Sequence, residues 1–575
     1  MPHQLFSVSE LVSIIIGQAD KADQLQCALV CKSWSEIALD ALWYEVTDFT
    51  AFANLLSPLR KKASSHKDFT SSYAFDPEPG FKRWSRFYST YCIRVRHLRQ
   101  RDSVFRDLTP LFHSISRIRS PGPILPNLRT IEWKGSHPMF VDLIILMHDG
   151  VRKCTLRELT GTEPVLDFAL LTEAIQVQMP SLVKLRLDVF PDPELIPQLL
   201  ELINALPSIQ SVRLPAFENV SDIMTCLMKR PQLKSLGFYV SFHEVQTPGV
   251  SQMGPPKGGP LSLEKLQISA SGFKVVSEFM ADSIFACLNS VYISSNTIET
   301  PTSLRGIIKH FSIGCPQLSC LKLDYTEVVQ DDISRIQITQ GQPTNAALIS
   351  FGDLENILDC KRMVDFTFCH PFATNMTDED IGRIARAWPD LMYLELGQRP
   401  AIWRTGENVL KPSVWSVILL TMLCPSIKKI GLLLDTSPRG PPPSILELYR
   451  AAPVFAPLEE LDVGISTLKI DDEILFTQSL AYNFVWPSCQ ITFEEDGLSD
   501  SSWMTVQKWF PVLSNMAFAT RNKDHIIMSL ETSLALAHRR IARLEEQQSS
   551  LVITAGSLGH ASMHKNPPYN IIHKI

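Results

Sequence analysis

A short phrase recurs along most of this chain: PNLRTIEW, PSLVKLRL, PSIQSVRL, PQLKSLGF, LSLEKLQI, ACLNSVYI, PQLSCLKL, KRMVDFTF, PDLMYLEL, PSIKKIGL and APLEELDV. Its frame is apolar-x-x-apolar-x-apolar, usually introduced by a proline and one further residue. The first apolar positions are Leu128, Leu182, Ile209, Leu233, Leu263, Leu288, Leu318, Met363, Leu391, Ile427 and Leu458, with a weaker copy at Val151, Cys154 and Leu156. The alternation at the end of the phrase sends side chains of a short strand to one face. Helical stretches such as FALLTEAIQVQM and IPQLLELINAL lie between phrases, each ending at the next proline. A unit this small has open apolar edges until a neighbour stacks on it, so the recurrence demands a continuous array.

This frame is the leucine-rich-repeat signature. The expected fold is α/β: a small N-terminal three-helix bundle, then an irregular leucine-rich-repeat solenoid (a horseshoe), then a C-terminal helix. The asparagine or cysteine expected eight residues after the first leucine occurs only as Asn296, so no regular asparagine ladder is expected. An ordinary α/β domain with parallel strands is the alternative, but its phrase would be less regular. Two Pro/Gly-rich interruptions, 241–260 and 435–444, read as mobile loops projecting from one face.

The first 45 residues have a different grammar. Ser7 and Glu10 have capping-box spacing, with Phe6 and Leu11 as a staple, and Gly17 is a natural helix stop. Asp20 caps a second helix; Ser33 and Glu36 repeat the capping-box spacing for a third. Three such helices bury too little surface to be stable alone. Leu11, Ile15, Val30, Trp34 and Trp43 exceed what so small a core can hide, so some must dock elsewhere, on this chain or on another.

The string Leu11-Val12-x-x-Ile15, then Leu25, Val30-Cys31-x-x-Trp34 and Leu42-Trp43, resembles the F-box motif, with Phe6 where that family has proline and Gln24-Leu25 in place of Asp-Leu. The resemblance implies that Leu11, Val12, Ile15, Leu25, Val30, Trp34, Leu42 and Trp43 bind the adaptor of a Skp–cullin–F-box ubiquitin ligase and, through it, a cullin. The phrase DEDIGRIARAWPDLMYLEL and the neighbourhood of Trp84 are similar to the large leucine-rich F-box families of mushroom-forming fungi. The implied function is a substrate-recognition subunit whose repeat surface holds a protein target. The alternative is a scaffold whose bundle packs on its own array and binds no adaptor.

The expected organisation is an F-box-like bundle at 1–46, a linker and array cap at 47–125, the solenoid at 126–500 and a C-terminal cap at 501–523. An amphipathic or coiled-coil helix follows at 524–555 and a disordered tail at 556–575. In the bridge, 61–80 reads as a polar linker, and FKRWSRFYSTYCIRVRHL as helix then strand. The arginines Arg94, Arg96, Arg99, Arg101 and Arg106 read as a solvated face or structural ion pairs, because no aromatic comb accompanies them. Ile527, Leu530, Leu534, Ala537, Ile541, Leu544, Gln548 and Leu551 trace a heptad seam suited to self-association or to docking on the array.

Composition narrows the rest. A net charge of −6 over 575 residues argues against a nucleic-acid platform. No apolar run reaches the length of a membrane span, and no basic-then-apolar leader opens the chain, so an intracellular, reducing setting is expected, cytoplasm or nucleus. The twelve cysteines include no CxxC pair and no zinc spacing, and no phosphate loop, GxGxxG, GxSxG or HExxH occurs. Asp331-Asp332 and Asp471-Asp472 are adjacent and so diverge on a strand, and His243 and His370 are isolated. No catalytic residue, metal site or cofactor is expected, and the target stays unspecified.

Overall fold

The computed structural model describes residues 8–62, 71–100, 106–135, 140, 142–158, 168–240, 249–254, 262–281, 284–325, 348–400, 409–437, 456–468, 473–483, 488–494, 502–520, 534–536, 538–540 and 542–543. The chain forms two compact units, 1–469 with 491–499, and 470–490 with 500–575. The first holds three short helices, α1 (Ser9–Gln18), α2 (Lys21–Cys27) and α3 (Lys32–Leu42), and then the array.

In chain order the strands are β1 (Glu45–Val46), β2 (Leu59–Lys62), β3 (Ser71–Phe75), β4 (His97–Gln100), β5 (Arg106–Asp107), β6 (Thr130–Gly135), β7 (Lys153–Glu158), β8 (Lys184–Asp188) and β9 (Ser211–Pro215). They continue as β10 (Ser235–Tyr239), β11 (Lys265–Ala270), β12 (Ser290–Ser295), β13 (Cys320–Tyr325), β14 (Asp365–Phe368), β15 (Tyr393–Leu396), β16 (Lys429–Leu432), β17 (Glu460–Asp462) and β18 (Gln490–Thr492). Fifteen of them make one sheet in the order β1-β4-β6 and then consecutively to β18. The pairings within this sheet from β1 through β17 are parallel, and from β6 onward each strand neighbours the next in the chain. Strand-by-strand order of that kind is the topology of a leucine-rich-repeat solenoid.

Every one of the twelve phrases lies at a strand of this sheet. Leu318, Leu321 and Leu323 are each fully buried, as are Leu128, Ile131 and Trp133 at the far end and Leu391, Leu394 and Leu396 near the other. Between strands run helices such as Phe168–Gln178, Ile196–Ala205, Pro301–Gly314 and Asp378–Ala387, which lay Leu171, Leu202, Phe311 and Ile384 on the same core. Side-chain caps start two of them: Thr300 receives the Ser303 N–H at 3.2 Å, and Thr377 receives the Asp380 N–H at 3.3 Å.

The asparagine ladder is replaced by an assortment of caps. Glu299 accepts from the Phe273 N–H at 2.6 Å and from Ser303 Oγ at 2.6 Å. His370 Nδ1 accepts from the Phe372 N–H at 3.1 Å, and its Nε2 lies 3.1 Å from the Glu299 carbonyl, which fixes a neutral ring with the proton on Nε2. Ser269 and Ser294 bond to each other at 2.9 Å, and Ser466 Oγ receives the Leu434 N–H at 2.8 Å. Each satisfies buried polar groups that a repeated asparagine would otherwise serve.

Several expectations need correction. The sheet begins at β1, far upstream of residue 126; its last strand, β18, lies inside the expected 126–500, although Cys489 and Ile491 are not among the eleven phrases. The polar stretch 61–80 holds structure: β2 pairs antiparallel with β3, and β3 pairs with β5 in a second, three-stranded sheet. Phe75 is buried there, which a plain linker would not need. Residues 249–254 of the first interruption do not project. Val250 donates to the Ser269 carbonyl at 2.9 Å, and Gln252 to the Glu218 carbonyl at 3.0 Å. From the second interruption, Thr436 is buried and bonds the Thr467 carbonyl at 2.8 Å.

The second unit contains the helix Glu473–Asn483 and a helix over 502–520. Trp503, Val506 and Phe510 are buried on the latter, and Trp503 meets Phe476 edge-on at 6.0 Å. Of the heptad seam only Leu534 is described, helical and exposed; the rest of the seam and the tail after 556 lie outside the described residues, as do Asp331, Asp332, Asp471, Asp472 and His243.

Candidate functional site

The small bundle has a core of Val12, Ile16 and Ala38, with Cys27, Ala28, Trp34, Ile37 and Ala41 packed around it. Helix α1 is apolar on two stripes. Val12 and Ile16, four apart, turn inward; Leu11, Ile14 and Ile15 turn out, and Ile14 is 62 % exposed. Leu25 on α2 and Leu29 and Val30 in the turn after it are also exposed, Leu29 at 76 %. A spread of apolar side chains in water on α1, α2 and their turn is the outstanding surface feature of this segment.

The helix ends are built differently from the expectation. α1 runs through Gly17, because the buried Gln24 amide donates to the carbonyls of Ile16 at 3.1 Å and Ala19 at 3.0 Å, doing the work of a glycine stop. Asp20 caps α2 as expected, accepting from the Asp23 N–H at 2.8 Å. Helix α3 starts at Lys32, with Cys31, two residues before Ser33, as N-cap, so Ser33 and Glu36 form no capping box. Phe6 and Ser7 lie outside the described residues, and Val8 is the N-cap of α1, with no side-chain bond.

The other side of the bundle is tied to its own chain. Trp43 packs on Phe52 and Tyr91, ring centroids 5.6 Å from each, and Tyr44 on His97 at 4.9 Å. The nearly buried guanidinium of Arg94 pairs with Glu36 and Asp40 of α3 and also donates to the Glu36 carbonyl at 3.1 Å and the Thr90 carbonyl at 2.7 Å. Burial pulls its pKa down, but the hydrogen bonds and charges of the two carboxylates outweigh that and hold it above the ordinary value. Three of the clustered arginines are thus ion-paired: Arg99 also joins Glu45 at 3.1 Å, and Arg106 joins Asp48 at 3.3 Å, while Arg96 donates to the Ile93 carbonyl at 3.1 Å and Arg101 lies outside the described residues.

The eight residues expected at the adaptor surface therefore divide. Leu11, Ile15, Leu25 and Val30 are exposed; Trp34 and Leu42 are half-buried. Val12 is core, and Trp43 is half-buried against the chain's own aromatic cluster. Ile14 and Leu29 were missed, although both belong to the same exposed apolar set.

A second candidate surface is the open face of the sheet. One row of side chains crosses it in register, from Glu132 through Thr155, Arg186, Arg213, Gly237, Gln267, Tyr292, Lys322 and Thr367 to Glu395. Around Lys153, Thr155 and Lys184 it sinks into a hollow of about 270 Å³. Among the described residues no group of three or more His, Cys, Asp or Glu converges as a metal set, and no helix is long and apolar enough to cross a membrane. All twelve cysteines are free thiols.

Residues 9–48 match the model of the F-box-like family. The fold and this match together define a leucine-rich-repeat array carrying an F-box-like domain at its N-terminal end. No curated protein matches the chain. Among solved structures it is similar to the crystal structure of a TLR13–ssRNA13 complex, at 13 % identity and a TM-score of 0.32, over 71 % of this chain and 57 % of that one.

Proposed function

We propose that this protein is the substrate-recognition subunit of a Skp–cullin–F-box-type ubiquitin ligase. The observation that carries the proposal is the exposure of Leu11, Ile14, Ile15, Leu25, Leu29 and Val30 within the segment that matches the F-box-like model. Sheltering one such side chain is worth about 1.5–3 kcal/mol in transfer free energy, so several together can offset the cost of association. An adaptor fits that role, and the array would hold the target. The mechanism is proximity: the target's lysines are kept at high effective concentration near a ubiquitin carrier, with no bond made by this chain. Such work belongs inside the cell, in cytoplasm or nucleus. Self-association through the heptad seam at 527–551 is part of the same proposal.

Co-expression of the full chain with the ligase adaptor, followed by co-purification, tests it. Wild type is expected to retain the adaptor, and a Leu11→Asp, Leu25→Asp double variant to lose it at unchanged thermal stability. Failure of the wild type to retain any adaptor overturns the proposal. The packing of Trp43 on Phe52 and Tyr91 favours a second reading, a scaffold whose bundle serves only its own array. That reading expects the double variant to behave as wild type in every binding assay.

A further inference from the structure

The open sheet face is electrically two-ended. Toward the N-terminal side, Glu132 serves both Arg99 and Lys153, and Asp188 serves both Arg157 at 2.8 Å and Arg186 at 2.6 Å. That leaves Lys134 and Lys184, on the rim of the hollow, with no ion pair among the described residues. The crowding of positive charge is visible in the groups themselves. Burial first, and then neighbouring cations, hold Lys184 below its ordinary value and push Arg213 down to about 10. The Arg213 guanidinium carbon lies over the Tyr239 ring, 3.7 Å from its centroid.

Five strands further along, the sign reverses. Asp324 on β13 accepts only the Tyr325 N–H, at 2.8 Å, and forms no ion pair with any described residue. Its charge is felt by Tyr292 and Tyr325, whose phenols are pushed up to about 12, by burial first. Glu395 lies near enough to add to the burial that raises the Asp324 carboxyl. Between the two ends the face is neutral: Gly237, Gln267, Ser269 and Ser294.

We infer that this face docks an extended protein segment that carries acidic side chains over the Lys184–Arg186 hollow and a lysine or arginine over Asp324. Charge complementarity selects that occupant: a uniformly acidic segment would leave Asp324 buried and uncompensated, and a uniformly basic one would be repelled from the hollow. The geometry fixes the spacing. From β8 to β13 are five inter-strand steps of about 4.8 Å, roughly 24 Å, which an extended chain spans in about seven residues. Calling this segment part of a degradation target rests on the function proposed above; the docking itself does not.

The test uses the full chain without adaptor and a phage-displayed library of random twelve-residue peptides. Enriched peptides are expected to carry Asp or Glu at one end and Lys or Arg about seven positions away. A selected peptide, followed by fluorescence anisotropy, should bind at least tenfold more weakly to Lys184→Gln, Arg186→Gln and to Asp324→Asn, the first checked for unchanged melting and the second for melting no lower than that of wild type. Selection on a Lys184→Glu, Arg186→Glu variant should replace the acidic end by a basic one. Enrichment without this spacing, no enrichment, or affinity indifferent to these variants overturns the inference. Retention or loss of adaptor in co-purification bears on none of these readouts, so the two ideas fail separately.

Discussion

The bundle and the array solve the same physical problem in opposite ways. In the array each strand phrase finds shelter on its neighbours, and Leu321, Leu323, Phe366 and Phe368 on adjacent strands are fully buried. In the bundle only Val12, Ile16 and Ala38 reach that state, while as many apolar side chains on α1 alone stand in water. The array is closed by repetition; the bundle is closed on one side, by Trp43 and Arg94, and left open on the other. An apolar surface that persists beside a chain so able to bury its own is best explained by use.

That contrast breaks first at the largest effect. Trp388 is fully buried and meets Phe366 edge-on at 5.2 Å. Trp388→Ala should cost about 3–5 kcal/mol, read as a large drop in denaturant midpoint. Leu25→Ala in the bundle, at an exposed site, should cost within about 0.5 kcal/mol and act only on partner binding. Equal destabilisation by the two would erase the distinction drawn here. A middle-sized effect sharpens it. Arg94→Ala removes the two carboxylate pairs and two carbonyl bonds, and Glu36 and Asp40 are themselves well exposed. A loss of roughly 1–2 kcal/mol is expected, concentrated in the docking of α3, so that limited proteolysis cuts near residue 44 while the array stays intact.

How far the chain could be read in advance follows the same division. The twelve phrases declared their strands because leucine at fixed spacing leaves a strand one way to face. β18 escaped because its phrase places Cys489 where others carry leucine, and β1 is only two residues long. On α1 the spacing was no guide, since Val12 with Ile16 and Leu11 with Ile15 both have the helical interval and only packing chooses between them. Gly17 and Ser33 misled for a related reason. Local capping signals were overruled by a distant group, the Gln24 amide, in one case and by an earlier helix start in the other. The two-ended sheet face was hidden because its rows join residues some 30 positions apart, from Arg186 to Arg213, Gly237, Gln267 and Tyr292 in turn.

The smallest effect tests the array where it is not self-sufficient. Asp324 is a carboxylate held largely out of water, its pKa raised by burial and then by Glu395, against the opposing bond from the Tyr325 N–H. A raised carboxyl favours folding below its unfolded value, near 3.8, and that contribution is lost as the pH climbs through the folded value. At neutral pH the ionised group therefore weighs against the fold. Asp324→Asn keeps an acceptor for the Tyr325 N–H and removes the charge. Its melting temperature should exceed that of wild type at pH 7, with the gap closing as the pH approaches 4. The same variant should lose affinity for two-ended peptides, so stability and binding move in opposite directions at one residue. A variant that is less stable than wild type at pH 7 would mean that Asp324 is compensated within the chain and has no unmet charge to offer a partner.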